Sequence, residues 1–266
     1  MSSKTIVLIT GANTGVGYET VRALFQSSTP YHILLGARSS KKADDAASKI
    51  REEVPHSESK IDGVVVDIES DDSIGKVFKD VEAMVDRVDV LINNAGVEMD
   101  MTGPRQGMTT REIFAKTWNT NVTGTHILTT TFIPLLLRST SPRLLFLTSG
   151  TASFELTKNK AFILNKAPAA GWPKPVQREL PSYKASKVGL NMLMRDWERI
   201  LRNDGVKVWT VNPGFLVTGL GGDHETLRKM GAGDPKAGGE FVRDVVEGKR
   251  DQDVGQTVQA NGILAW

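Results

Sequence analysis

The chain has no cysteine among its 266 residues. This absence excludes disulfides, thiolate-bound metals, iron–sulfur clusters and a cysteine nucleophile, so redox chemistry here would need a bound cofactor. Histidine is also scarce. The four histidines, His32, His56, His126 and His224, do not have the spacing of metal ligands, and no HExxH motif is present. We therefore expect no metal site.

The sequence also lacks a charged stripe and a long apolar run. Its 33 Lys and Arg nearly balance 31 Asp and Glu and are scattered along the chain, so nucleic acid is not an expected partner. The first residues contain no basic segment followed by a long apolar stretch, and Ile6–Ile9 is far too short to span a bilayer. We expect a cytoplasmic protein with no membrane partner.

Short β-branched runs alternate with longer segments of helical periodicity. The runs are Thr5–Ile9, His32–Leu35, Gly63–Val66, Val88–Ile92, Leu144–Leu147 and Val206–Val211, and the apolar end Gly262–Trp266 is a further strand candidate. Continuous apolar strands separated by helices are typical of a parallel sheet covered on both faces. We predict an α/β fold with a Rossmann-like, doubly wound parallel sheet of about seven strands, flanked by helices, in a single domain 1–266.

A glycine-rich turn follows the first predicted strand. Its glycines have the spacing GxxxGxG, which differs from GxGxxG. The first glycine permits a tight turn, the second lets the backbone approach a pyrophosphate, and the third lets the helix pack on the strand. We expect dinucleotide contacts from Gly11, Asn13, Thr14, Gly15, Val16 and Gly17. The alternative is a strand-to-helix turn that binds no ligand.

The second predicted strand ends at Gly36–Lys42, where an NAD enzyme would present an acidic residue to the ribose 2′-hydroxyl. This stretch has no acid, but it contains Arg38. A guanidinium can form paired charged hydrogen bonds with a 2′-phosphate. The pattern predicts NADP(H) as the cofactor, and the alternative is a solvated basic turn.

Tyr183 and Lys187 are four positions apart at the start of a long helical segment that continues to about Arg202, so they share one face of the helix. A free tyrosine has a pKa of about 10, and a neighbouring ammonium group favours the phenolate. This pair is a candidate proton donor and acceptor. The alternative is an exposed tyrosine beside an exposed lysine.

Several motifs occur in one order along the chain. They are TGxxxGxG at Thr10–Gly17, then Val66-Asp67-Ile68, Asn93-Asn94-Ala95-Gly96, Asn121, Ser149, the Tyr183–Lys187 pair and Pro213-Gly214. In this order the chain resembles the short-chain dehydrogenase/reductase family over nearly all of its length. The resemblance implies that the protein is an oxidoreductase acting on CH–OH and C=O groups.

The resemblance also implies catalytic roles. Tyr183 would be the general acid in carbonyl reduction, and Ser149 would polarise the carbonyl oxygen. Lys187 would bind the nicotinamide ribose and lower the pKa of the tyrosine, and Asn121 would hold a proton-relay water. Asn121 could instead merely bend its helix. Three hydroxyls compete with Ser149 for its role, namely Thr148, Thr151 and Ser153.

Further cofactor contacts follow from the same resemblance. They are Asp67, Ile68, Asn94, Ala95, Gly96, Tyr183, Lys187, Pro213, Gly214, Leu216 and Thr218. Asp67 would contact the adenine amino group, although an Asp at the end of a strand can equally cap the next helix. The Pro213 segment would bind the nicotinamide carboxamide, and its alternative is an ordinary Pro-Gly turn.

The separation of 34 positions between Ser149 and Tyr183 is longer than in many family members. It implies an insertion at 150–182 that borders the pocket, as in carbonyl-reductase-like members, and a substrate flap is expected at 216–238. Apolar pocket material would come from Phe154, Phe162, Ile163, Leu164, Trp172, from 97–108 with Met99 and Met101, and from Phe215, Leu220 and Met230. A monomer and a homo-oligomer both remain open.

These observations predict an NADPH-dependent reductase of a small, hydrophobic ketone or aldehyde, with alcohol oxidation as the reverse reaction. Two alternatives use the same scaffold. One is a non-redox enzyme, such as a dehydratase, epimerase or cyclase, and the other is an NADP-binding regulatory protein.

Overall fold

The computed structural model describes residues 4–161, 165–174 and 179–266, and within them eight strands form one sheet. The strands are β1 Thr5–Ile9, β2 Tyr31–Ala37, β3 Lys60–Val65, β4 Val90–Asn93, β5 Arg143–Leu147, β6 Lys207–Val211, β7 Thr257–Gln259 and β8 Gly262–Ile263. Their order across the sheet is β3-β2-β1-β4-β5-β6-β7-β8. Neighbours pair in parallel, except that β8 pairs antiparallel with β7. The predicted doubly wound α/β sheet is confirmed, with the C-terminal strand at its edge.

Helices lie between the strands, as the sequence predicts. They are α1 Gly15–Phe25, α2 Ser40–Glu53, α3 Asp71–Met84, α4 Thr110–Trp118, α5 Thr125–Leu136, α6 Phe154–Thr157, α7 Pro181–Leu201, α8 His224–Lys229 and α9 Pro235–Val246. A π-helical turn, Asn119–Gly124, joins α4 to α5. No helix in the described ranges has both the length and the apolar character needed to cross a membrane.

Both faces of the sheet are buried, because alternate residues of each central strand point to opposite sides. In β1, Val7 and Ile9 pack with α1, α2 and α9, whereas Ile6 and Leu8 pack with α3, α5 and α7. Each fully buried aliphatic side chain of this kind contributes about 1.5 to 3 kcal/mol to folding. Central strands such as β1 and β4 are therefore apolar along nearly their whole length, whereas the edge strand β3 alternates between buried and exposed residues.

The strands β1 to β3 extend the sheet toward one edge, and β4 to β8 extend it toward the other. The strand order therefore reverses between β1 and β4, which are adjacent in the sheet although far apart in sequence. Ligands of open α/β sheets bind beyond the carboxyl ends of the strands at such a switch point. The glycine-rich turn follows β1 and the Asn93–Gly96 motif begins at the end of β4, so both lie at this edge of the sheet.

Candidate active site

A cavity of about 810 Å³ runs along the carboxyl ends of the strands. It extends from the turn after β1 to the first turn of α7, and residues that follow β1 to β6 line it. Of the predicted catalytic and cofactor-binding residues, all line this cavity except Gly17 and Asn121. The predicted site residues thus lie together, although they come from separate segments between Gly11 and Thr218.

The turn after β1 can approach a dinucleotide closely because its glycines have no side chain. Gly11 and Gly15 have φ of +61° and +58°, in the left-handed region that favours glycine. A Cβ on Gly11 would lie 2.9 Å from Ala95 Cα, and one on Gly17 would lie 2.4 Å from Asn94 Nδ2. Gly17 therefore acts by letting α1 pack closely, without lining the cavity.

The backbone N–H groups at the start of α1 have no side-chain cap, because Thr14 at the N-cap position makes no capping hydrogen bond. Free N–H groups and the positive end of the helix dipole suit a phosphate group. Asn94 fixes the turn, since its Nδ2 donates to Thr10 O and Gly11 O at 2.8 and 3.0 Å. This glycine cradle fits the pyrophosphate of a dinucleotide.

Arg38 is exposed at the edge of the cavity. Nowhere in the described part of the chain does a hydrogen bond or ion pair engage its guanidinium. Lys41, by contrast, pairs with Asp45 at 2.8 Å, and neither Lys41 nor Lys42 lines the cavity. Arg38 is thus the basic residue of this turn that faces the cavity.

Asp67 lines the cavity at the end of β3, and its Oδ1 accepts a hydrogen bond from Glu69 N at 3.0 Å. The N-cap of α3 is Ser70, whose side chain accepts from Ser73 N. The alternative reading of Asp67 as the helix cap is therefore wrong.

Tyr183 and Ser149 both line the cavity, and the Ser149 hydroxyl is close enough to the tyrosine hydroxyl to lower its pKa. Ser149 Oγ also lies 2.9 Å from Thr151 Oγ1. The competing hydroxyl of Thr148 donates to Asn191 Oδ1 at 2.6 Å, and that of Ser153 donates to Ala265 O. Among these hydroxyls, Ser149 is the one positioned to act together with the tyrosine.

Burial has the largest effect on the pKa values of Tyr183 and Lys187. It raises the pKa of Tyr183 to about 12. The Ser149 hydroxyl lowers this pKa, and the Glu98 carboxylate raises it further. Lys187 Nζ lies 5.7 Å from the centre of the tyrosine ring and donates to Leu147 O at 2.8 Å. Burial lowers the pKa of this ammonium to about 8.

Burial raises the net pKa of Tyr183, and the expected lowering of that pKa by Lys187 stays a prediction. A tyrosine in an apolar wall loses hydration of its phenolate, and at this separation the lysine does not offset that loss. Both residues therefore favour their neutral forms more than they would in water.

Asn121 lies in the π-helical turn and is fully buried. Its Oδ1 accepts from Val97 N at 2.8 Å, and its Nδ2 donates to Val97 O and to Ser186 Oγ, both at 2.9 Å. These bonds fasten the turn to the loop after β4 and to α7. The water-relay role stays a prediction.

The pocket wall differs in part from the predicted one. Phe154 and Trp172 are 61% and 86% exposed and do not line the cavity, and Met101 does not line it either. In the short helix α6, Leu156 follows Phe154 by about 200° of rotation, so it faces the cavity instead. Phe162, Ile163 and Leu164 lie outside the described residues. The predicted Met99, Phe215, Leu220 and Met230 do line the cavity.

Sequence reasoning missed two residues that contact the tyrosine backbone. Asp100 accepts hydrogen bonds from the N–H groups of Ser182 and Tyr183, and Ser186 Oγ donates to Tyr183 O. No motif signals Asp100, because it lies 83 positions from Tyr183. Ser186 lies inside the Tyr183–Lys187 pentad, but its side-chain partners depend on tertiary structure.

Comparison with known proteins identifies the family. Residues 5–228 match the family model for short chain dehydrogenases. The chain is 43% identical to the short-chain dehydrogenase/reductase eupG of Phoma sp, covering 99% of this chain and 98% of that protein. It is 41% identical to the short-chain dehydrogenase/reductase tropE of Talaromyces stipitatus, covering 98% and 97%.

Among solved structures, the fold is similar to that of NADPH-bound carbonyl reductase from chicken fatty liver. The TM-score is 0.79 at 22% identity, and the match covers 99% of this chain and 100% of that one. At this identity the likeness shows the fold alone. From the family match and the two fungal relatives, the chain belongs to the short chain dehydrogenase family of oxidoreductases, which bind a nicotinamide cofactor and act on small molecules.

Proposed function

We propose that this protein is an NADPH-dependent reductase that transfers hydride to a small, hydrophobic ketone or aldehyde, with alcohol oxidation as the reverse reaction. The observation that carries the proposal is that Tyr183 and Ser149 line the same cavity as the glycine turn after β1. A proton donor and a dinucleotide cradle are the two parts that carbonyl reduction requires.

Arg38 supports NADPH as the cofactor. Its guanidinium faces the cavity without a competing acid, and Gly36–Lys42 has no carboxylate to hold a ribose 2′-hydroxyl. The chicken carbonyl reductase of similar fold is NADPH bound, which also supports this choice. The proposed cofactor contacts are Gly11, Asn13, Thr14, Gly15, Val16, Arg38, Asp67, Ile68, Asn94, Ala95, Gly96, Lys187, Pro213, Gly214, Leu216 and Thr218, with Gly17 permitting the close approach.

The proposed chemistry assigns one task to each side chain. When bound, the nicotinamide supplies the hydride. Ser149 donates a hydrogen bond to the carbonyl oxygen, and Tyr183 transfers its phenolic proton to the oxygen as negative charge develops there. Burial holds Tyr183 protonated at neutral pH, which is the form that reduction needs. Lys187 holds the ribose, and its ammonium favours the phenolate that Tyr183 becomes after it has given up its proton.

Apolar residues support a hydrophobic substrate. The substrate end of the cavity carries Met99, Leu156, Leu180, Phe215, Leu220 and Met230. We propose that 150–182 forms one wall and that 216–238 forms a flap. The flap proposal is supported by the backbone pairing of Leu216 with Gly233, which brings the two ends of the intervening segment together.

The test follows the absorbance of NADPH and NADH in parallel, with purified protein and a panel of hydrophobic ketones, aldehydes and diketones. We expect NADPH oxidation to be the faster, and Tyr183→Phe to lower turnover by at least about 100-fold while NADPH binding is kept. Tyr31→Phe is the matched control, because Tyr31 does not line the cavity.

Three outcomes would overturn parts of this proposal. Product formation without NADPH consumption would indicate a non-redox enzyme. Tight NADPH binding with no turnover on any substrate would indicate a regulatory protein. Full activity of Tyr183→Phe would remove the tyrosine from its proposed role.

A further inference from the structure

We propose that Asp100 is a positioning residue for catalysis, which holds Tyr183 in place through the backbone at the start of α7. This inference rests on the proposed role of Tyr183 as the proton donor. Asp100 itself does not line the cavity, although Val97, Glu98 and Met99 just before it do. It therefore acts on the tyrosine from behind the cavity wall.

The start of α7 has no cap of its own. Leu180 occupies the N-cap position without a side-chain hydrogen bond, and Pro181 follows as the first helical residue. The next two N–H groups, those of Ser182 and Tyr183, donate to the two carboxylate oxygens of Asp100 at 3.1 and 2.9 Å. A carboxylate from a distant loop thus does the work of a local cap and complements the helix dipole.

The tyrosine backbone is held from its other side as well. Ser186 Oγ donates to Tyr183 O at 2.8 Å and accepts from Asn121 Nδ2 at 2.9 Å. Asn121 in turn binds both backbone groups of Val97. Val97 and Asp100 belong to the same loop after β4, so this one loop fixes Tyr183 through its N–H and, by way of Asn121 and Ser186, through its carbonyl.

This arrangement links the cofactor side of the cavity to the proton donor. The loop begins directly after Gly96, at which an added Cβ would lie 3.4 Å from Lys187 Nζ. Misplacing a reacting group by about 1 Å can lower a rate by about 100-fold. Loss of the Asp100 bonds should therefore reduce the catalytic rate more than it reduces the affinity for cofactor.

The experiment compares three variants of the full chain with the wild type. Asp100→Ala removes both acceptors, and Asp100→Asn keeps one acceptor oxygen at nearly unchanged size. Thr109→Ala is the matched control, because Thr109 caps the neighbouring helix α4 through Glu112 N and is exposed. For each protein, kcat, KM, the dissociation constant for NADPH and the melting temperature are measured.

We expect Asp100→Ala to lower kcat by about 10- to 100-fold, with the NADPH dissociation constant changed by less than about twofold. Asp100→Asn should recover part of the lost kcat. Thr109→Ala should lower the melting temperature but leave kcat unchanged. The proposal is overturned if Asp100→Ala loses only thermal stability, or if its loss of activity follows a loss of NADPH affinity.

Hydrogen exchange separates this proposal from the proposed function. If the wild type reduces no carbonyl compound, the reductase assignment fails. The positioning of the start of α7 by Asp100 can still be tested. The amides of Ser182 and Tyr183 should then exchange at least tenfold faster in Asp100→Ala than in the wild type. Unchanged exchange at both amides would overturn the proposed positioning role of Asp100, whatever reaction the protein catalyses.

Discussion

Lys187 is a buried cationic residue of the proposed site. Its ammonium is buried in the cavity wall with one hydrogen bond, to Leu147 O. Burial lowers its pKa from the ordinary 10.5 to about 8, so the folded protein binds the proton less tightly than the unfolded chain does. Such a group destabilises the fold wherever it remains charged.

The sign of this effect predicts how stability depends on pH. Below pH 8 the charged lysine lowers the free energy of unfolding by on the order of 3 kcal/mol, and this loss is recovered as pH rises from about 8 to 10.5. Tyr183 acts the other way, since its raised pKa leaves stability unchanged below pH 10 and lowers it as pH rises from 10 to about 12. Denaturant unfolding at pH 7 to 10 therefore measures the effect of Lys187 on stability without a contribution from Tyr183.

We expect Lys187→Met to have a higher free energy of unfolding than the wild type at pH 7. The lost hydrogen bond to Leu147 O should reduce this gain by about 1 kcal/mol. The difference should shrink steadily toward pH 10. Lys79→Met, at an exposed position of α3, is the control and should show no such trend. A stability difference that does not vary with pH would mean that Lys187 is hydrated in the folded protein.

At the scale of the element, close helix packing depends on glycines that the sequence pattern does not single out. Gly239 in α9 faces α1, and a Cβ there would lie 2.4 Å from the backbone carbon of Glu19. Gly75 in α3 also lies inside a helix, but an added Cβ would meet nothing within 4 Å. The two positions therefore predict opposite effects of one substitution.

We expect Gly239→Ala to lower the free energy of unfolding by about 1 to 3 kcal/mol, because the helices must separate or shift. Gly75→Ala should raise it by about 0.5 to 1 kcal/mol, since alanine favours the helix and nothing is displaced. Urea denaturation of both variants measures the difference. Equal effects would show that α9 can move away from α1 at little cost.

The elements that sequence predicted well are those with a continuous apolar pattern. The predicted strand Thr5–Ile9 matches β1, and the long helical segment from Tyr183 matches α7. The short strand β7 and the glycine-containing helix α9 were not predicted, because three residues or a sequence with two adjacent glycines give a weak local signal. The π-helical turn at Asn121 agrees with the alternative expectation that this residue bends its helix.

At the scale of the whole molecule, parallel topology explains why the site was largely predictable. Residues after successive strands must meet at one edge of the sheet, so motifs after β1, β4 and β5 converge without any knowledge of the loops. The contacts that were missed cross between loops. Asp100 is an example, because only folding brings it to Tyr183. The exposed Phe154, in the short helix α6, shows that residues between β5 and α7 cannot be assigned to a pocket by hydrophobicity alone.

The preferred cofactor can be identified from how much each cofactor raises the melting temperature of the protein, and this measurement does not require turnover. A ligand at 100 times its dissociation constant stabilises a protein by about 2.7 kcal/mol, which for a chain of this size raises the melting temperature by about 5 to 10 °C. We expect NADPH to give a shift of this size, and NADH a clearly smaller one at equal concentration, because the proposed contact with Arg38 requires the 2′-phosphate.

Arg38→Asp should reverse the order of these two shifts, since a carboxylate repels the phosphate but accepts a hydrogen bond from the ribose hydroxyl. Lys42→Asp is the matched control, because it makes the same charge change in the same turn at a residue that does not line the cavity. A larger NADPH shift retained in Arg38→Asp but lost in Lys42→Asp would transfer the phosphate contact to Lys42. Equal shifts for both cofactors in the wild type would mean that the turn after β2 does not discriminate between them, and the proposed NADPH dependence would then be wrong.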